Sequence, residues 1–219
     1  MKMNLDEVEI RILGCLIEKE LTTPENYPLS LNALTSACNQ KSNRAPVMDL
    51  AEADVVRGLD KLGARGLARL TAAGGRVPKY RHSCDDNLQL PPPALAVLAE
   101  LMLRGPQTAG ELRNRAERMT PLADIAAVED ILGTLLAFGP PLVTRLPRQP
   151  GHKEQRYAQL FAGVPDVPAD ALVPPPEPAR QRVMAENERL ARLDEEVSTL
   201  RAEIAHLRRA IEELRALFA

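Results

Sequence analysis

Aromatic residues are scarce in this chain. They make up 3% of its 219 residues, and tryptophan is absent. Its cores must therefore be built from Leu, Ile, Val and Ala. Charge of one sign is missing too: 28 Lys and Arg stand against 30 Asp and Glu, a net charge of −2. The strongly basic balance that marks many nucleic-acid- or anionic-membrane-binding chains is thus absent. The three cysteines, Cys15, Cys38 and Cys84, form no C-x-x-C pair and cannot all pair internally. That usage favours a reducing compartment, and the expected location is the cytoplasm. No apolar run approaches the roughly 18 residues that would span a bilayer, so no membrane partner is expected. The first residues, MKMNLDEVEI, carry acids where a secretory signal would have an apolar core.

Signatures of chemistry are equally sparse. There is no Walker A sequence and no G-x-G-x-x-G. The GGR at 74–76 is too short for a phosphate loop and suits a hairpin tip, where glycine supplies positive φ. His82 and Cys84 are close enough to offer two metal ligands, but no second pair at suitable spacing completes a site. They read instead as a strand end running into a solvent-exposed loop. Cys15, among Leu13, Leu16 and Ile17, reads as a small core residue, and so does Cys38. The expectation is a protein that is not an enzyme and holds no cofactor or metal.

What the chain does contain is a pattern used twice. Proline marks the joints, at QLPPP (89–93) and at GVPDVPADALVPPPEPAR (163–180), which reads as a semi-rigid linker. These breaks divide the chain into 1–88, 89–162, a Pro-rich linker over 163–180, and 181–219. Each of the first two parts opens with an apolar-periodic helix: Leu5, Val8, Ile12 and Leu16 in one, Leu95, Leu98, Leu101 and Met102 in the other. Asn4 with Glu7 resembles a capping box at the first start. A second helix is expected from Ser30 to about Cys38 and from Thr108 to about Met119, with Thr108 and Glu111 as a capping box. A third is expected over about 50–65, after Asp49 with Glu52, and over about 121–137, after Thr120 with Pro121 at the first helical position. Each third helix runs to a glycine, Gly66 or Gly139. Then come a strand, a turn and a strand, LARLTAAGGRVPKYRH and LVTRLPRQPGHKEQRYAQL, with a basic-to-Tyr step in each returning strand. Helix–helix–helix–hairpin in about 75 residues is the order of a winged helix. Two unrelated α+β units would not share caps, glycines and Tyr positions. The expected fold is mainly α with small β-hairpins, as two tandem winged-helix domains followed by a C-terminal coiled-coil helix.

The two units differ at one place. A helix-turn-helix turn usually has about 3–4 residues. Met119 leads almost directly into Thr120, but the first unit inserts about ten residues, CNQKSNRAPV, with six polar positions in a row. The stretch LIEKELTTPENYPLSLNALTSACNQKSNRAPVMDL, with GLARL, RVPKYRH and LMLRGPQTAGELRNRAERM further on, resembles the YceH family of bacterial proteins. The resemblance runs over nearly the whole chain. It implies tandem winged helices and a bacterial cytoplasmic origin, and it transfers no catalytic residue because that family has no assigned reaction.

From Val183 a heptad holds. Positions a are Val183, Leu190, Val197, Ile204, Ile211 and Phe218; positions d are Glu186, Leu193, Leu200, Leu207 and Leu214. Largely β-branched a with Leu at d favours a parallel two-stranded coil. Cross-strand pairs Arg189–Asp194, Glu196–Arg201 and Glu203–Arg208 are opposite in sign, worth about 0.3–0.5 kcal/mol each, and so select register more than they stabilise. The expectation is a parallel homodimer; the alternative is an amphipathic helix folded back on its own winged helices.

Two functions compete. Wing cations Arg69, Arg76, Lys79, Arg81, Arg145, Arg148, Lys153 and Arg156, joined by His152, with Lys41 and Arg44 of the insertion, offer phosphate contacts. Asn39, Gln40 and Asn43 offer hydrogen bonds to base edges. Against this, the third helices present Glu52, Asp54 and Asp60, and Asp124, Glu129 and Asp130, which repel phosphates. Residues 1–88 carry 12 cations and 12 acids, and 89–162 carry 8 and 7, so neither unit is globally basic. The first function is a non-enzymatic, DNA-associated or regulatory protein using wings and the 38–48 loop. The alternative is a protein–protein adaptor using acidic third helices and that same loop. The polar insertion itself either meets a partner or caps its own backbone.

Overall fold

The computed structural model describes residues 4–71, 77–148 and 154–163. They form seven α-helices, a short 3-10 turn at Pro24–Asn26 and five short strands. The protein is α+β, mainly helical with small antiparallel sheets, as the sequence pattern predicts.

Helix α1 (Glu7–Thr22) starts at Asp6, not at Asn4 as the capping pattern suggested. Asp6 accepts from the Glu9 backbone N–H at 2.9 Å, and Glu9 reaches back to the Asp6 N–H at 2.7 Å. Strand β1 (Leu29–Ser30) precedes α2 (Leu31–Cys38), which Ser30 caps. Helix α3 (Glu52–Ala64) starts at Ala51, whose N–H is taken by Asp54 at 3.0 Å, and it ends at Gly66 with φ +73. Strands β2 (Ala68–Thr71) and β3 (Lys79–His82) then pair, and β1 adds to β3, giving the order β1-β3-β2. One turn, α4 (Cys84–Leu88), leads to the second half.

That half repeats the order. Helix α5 (Pro92–Arg104) is followed by α6 (Ala109–Ala116), with the Thr108–Glu111 box in place. Helix α7 (Ile125–Ala137) begins later than expected: Asp124 caps it, and Pro121 lies outside. Strands β4 (Val143–Arg145) and β5 (Tyr157–Gln159) pair antiparallel. Even the small third strand has its counterpart. Leu29 pairs with Tyr80 ahead of α2, and Gln107 pairs with Tyr157 ahead of α6.

The halves meet through their first helices. Helix α1 is buried without interruption from Glu9 to Glu18, and α5 from Ala94 to Arg104. A helix buried all round needs cover on two sides. Its own half covers one side, and the other half covers the second. Gly14 lies at a close approach between them: a Cβ there would stand 3.0 Å from Met102 Cβ. One apolar cluster runs through both halves, and the Leu5 N–H donates to the Phe161 carbonyl at 2.7 Å. The described residues all belong to one compact unit. Residues 164–219 lie outside the described residues, and with them most of the linker and the heptad positions Leu190, Leu193, Val197, Leu200, Ile204, Leu207, Ile211 and Leu214.

Candidate functional site: the polar loop and the wings

The segment after Cys38 has neither helix nor strand before α3, and side-chain hydrogen bonds do much to shape it. Asn39 closes it at the base. Its amide donates to the Leu50 carbonyl at 2.9 Å, and its oxygen accepts the Leu50 N–H at 2.8 Å. Asn43, at φ +58, adopts the left-handed conformation that Asn tolerates best among residues with a Cβ. Arg44 then turns inward. Its side chain is 0% exposed and clasps Glu18 in α1 with two hydrogen bonds, of 3.0 and 2.5 Å. It also donates to the Ala37 carbonyl at 3.0 Å and to Gln40 Oε1 at 3.1 Å.

The same clasp joins the two halves. Ala45 N–H donates to the Leu103 carbonyl of α5 at 2.9 Å, and Arg104 donates to Asn43 Oδ1. Arg118, just past α6, lies between Glu18 (2.5 Å) and Glu100 of α5 (2.6 Å). Arg104 stands 3.3 Å from the other oxygen of Glu100. Glu18 and Glu100 occupy matching places in the repeat, Leu16–Ile17–Glu18 and Leu98–Ala99–Glu100. Burial alone would push the Glu18 carboxyl up. The hydrogen bonds and charge of Arg44, then Arg118, outweigh it and hold that carboxyl below the ordinary range. Desolvation likewise acts to lower Arg44 and Arg118, and their carboxylate partners raise both.

Of the expected nucleic-acid-facing residues in the insertion, Arg44 is buried, Asn39, Gln40 and Asn43 are half-buried and hydrogen-bonded to the protein's own groups, and Lys41 is exposed. On the first hairpin Arg69 pairs with Asp86 at 3.2 Å, and Arg81 with Asp85 at 3.0 Å and Glu20 at 3.5 Å. Lys79 has no ion-pair partner among the described residues. On the second, Arg156 pairs with Glu111 at 2.9 Å, Arg145 lies over the Tyr157 ring, and Arg148 is exposed. Arg76, His152 and Lys153 lie outside the described residues.

His82 and Cys84 are not a solvent-exposed strand end; both are fully buried. His82 Nδ1 accepts the Cys84 N–H at 3.2 Å, which leaves Nε2 to face Glu20 at 2.5 Å. The Tyr27 hydroxyl accepts the His82 N–H at 2.8 Å. The imidazole thus ties β3 to α1. Among the described residues no three His, Cys, Asp or Glu side chains gather as a metal site. Cys15 and Cys38 are core residues as expected.

Sequence reasoning missed Glu18, Glu100, Arg104 and Arg118. Glu100 carried a signal: it is the one charge within ALAVLAELML, and a carboxylate inside an apolar helix must find a cation.

The arrangement defines a class of protein: two helix–hairpin units of one pattern, joined along α1 and α5 and clasped by a polar loop. Comparison with known proteins gives the family. A family model described as "Protein of unknown function, DUF480" matches residues 5–152. A UPF0502 protein of Geotalea uraniireducens (strain Rf4) is 87% identical over 218 residues, 100% of each chain. UPF0502 proteins of Geotalea daltonii and Geobacter sulfurreducens are 63% and 62% identical, again over 100% of each chain. The chain belongs to this DUF480/UPF0502 family of bacterial proteins, in agreement with the YceH resemblance. Among the described residues no helix is long and apolar enough to cross a membrane.

Proposed function

We propose that the two halves are tandem winged helices and that the protein is a non-enzymatic cytoplasmic adaptor, docking another protein and not reading the major groove. The repeated order of three helices and a hairpin, with a short strand ahead of each second helix, supports the winged-helix assignment. The observation that carries the function lies on the third helices. A reading helix needs Arg, Lys, Asn or Gln toward the bases. Helix α7 contains none of them and exposes Ile125, Ala126, Glu129 and Asp130. The two cations of α3 are engaged, Arg57 with Asp54 and Lys61 with Asp6 at 2.7 Å. The three thiols, all free, favour a reducing compartment. The heptad beyond residue 181 adds a parallel dimer to this assignment.

A second reading has its own support. Lys41, Lys79 and Arg148 lack ion-pair partners among the described residues, and Arg145 has only an aromatic one. Together they would grip phosphates without reading bases. Fluorescence anisotropy of a random-sequence duplex, titrated with the full chain at low and physiological salt, separates the two. The adaptor reading expects no saturable binding at physiological salt. Salt-sensitive binding abolished by changing Lys41, Lys79, Arg145 and Arg148 to Glu would overturn it and establish the phosphate-gripping protein.

A further inference from the structure

His82 ends β3 and is 0% exposed, yet charged groups reach its ring from several elements. Helix α1 brings Glu20, whose Oε2 lies 2.5 Å from Nε2. Helix α4 brings Asp85, whose Oδ1 lies 3.6 Å from Nδ1, and the Cys84 N–H, which donates to Nδ1 at 3.2 Å. Next to His82 on β3, Arg81 donates to Asp85 Oδ2 at 3.0 Å and lies 3.5 Å from Glu20. The Tyr27 hydroxyl accepts the His82 N–H. Burial pushes that hydroxyl above its ordinary value and the Cys84 thiol up to about 12, so neither bears charge near neutral pH. On β2, Arg69 is engaged with Asp86. Among the described residues, the charges against the ring are thus two carboxylates and one guanidinium, which leave one negative charge.

One atom in this group lacks a partner. Asp85 Oδ1 is buried and accepts no hydrogen bond among the described residues. A buried acceptor left so costs free energy. The ring atom it faces, Nδ1, cannot help, because Nδ1 is itself an acceptor while the Cys84 N–H occupies it. A ring nitrogen that accepts carries no proton, so the neutral imidazole has its one proton on Nε2, toward Glu20. A second proton must go on Nδ1. There it turns Nδ1 from acceptor into donor, releases the Cys84 N–H and supplies the hydrogen that Asp85 Oδ1 lacks.

We propose that His82 is a proton switch on the connection between the two halves. The neutral ring holds the Cys84 N–H. The charged ring drops it and takes Asp85 Oδ1, while Asp85 keeps Arg81 through Oδ2. Both partners lie on α4, which carries the chain from the first hairpin toward α5. The ring therefore exchanges one α4 contact for its neighbour as the solution turns acid through the range in which imidazoles titrate, about pH 5–8. The added proton cancels the negative charge left around the ring, which offsets the cost of burying it. The Asp85 side chain is 41% exposed, so a proton reaches Nδ1 along its carboxylate without opening of the core.

Long-range 1H–15N spectra of the full chain, which distinguish the two ring nitrogens, test this as the pH is lowered over the folded range. At the alkaline end Nδ1 of His82 should bear no proton, and at the acid end it should bear one. The Cys84 amide signal should move with the same midpoint. Its exchange with solvent, corrected for pH, should speed up by about fivefold or more, the worth of one hydrogen bond. The Asp85→Asn variant keeps the shape of that side chain without its charge, and should need a solution more acid by about one pH unit or more for the same change. A ring that keeps one protonation state throughout, a proton on Nδ1 at the alkaline end, or a Cys84 amide that does not follow the ring would each overturn the proposal. These three are read on the wild-type chain and decide it whether or not the variant folds.

Discussion

Glu18 brings a negative charge to a place that is 1% exposed. An isolated carboxylate could not remain ionised there. It does so because Arg44 and Arg118 hold both of its oxygens, which keeps its pKa below the ordinary 4.5. The sign follows: a depressed folded pKa contributes stability above the unfolded value, lost as pH falls through the folded one. Glu18→Gln should therefore cost stability at pH 7, and the gap from wild type should narrow as pH drops below about 4.5. Urea unfolding of both proteins between pH 7 and pH 3 checks this; a gap independent of pH would contradict it. At this scale the sequence is half legible. Glu100 in its apolar run announces a buried pair. Arg44 does not, because six polar residues in a row read the same whether a loop faces water or grips its own core. Which way it turns depends on Glu18, 26 positions earlier.

Elements were more legible. Periodicity, the Thr108 box and Gly66 located the helices because each reflects a local backbone demand. Two boundaries moved where two adequate caps stood nearby, Asp6 over Asn4 and Asp124 over Thr120, and a third moved at α3, which starts at Ala51 and not at the expected Asp49. The burial of α1 and α5 on every side was not legible, since an apolar stripe shows only the side facing its own half. Their crossing gives the prediction at this scale. Gly14→Leu drives a side chain into Met102 and Leu103 and should destabilise by about 1–3 kcal/mol or more. Gly133→Ala, at an exposed helical glycine with nothing within 4 Å, should be neutral or stabilising by up to about 1 kcal/mol. Thermal unfolding of the two variants compares them directly; an equal loss in both would refute the close crossing.

For the whole molecule, the repeat makes one body out of two halves, and the proposed coil would make two chains one assembly. Light scattering should give a dimeric mass for the full chain at micromolar concentration and a monomeric one for a chain ending at Pro165. A monomeric full chain would refute the coil. The central claim concerns what the inserted loop does: it clasps the halves from within, so its cations are not interchangeable. Arg44 and Lys41 lie three residues apart, one buried on Glu18 and one in solvent. The measurement that tests this most directly is urea unfolding of Arg44→Met beside Lys41→Met. The predicted result is a loss of about 3–5 kcal/mol for Arg44→Met, which takes one of two cations from a buried carboxylate, and a change within about 0.5 kcal/mol for Lys41→Met. Two variants as stable as each other and as wild type would contradict it and return the loop to the surface.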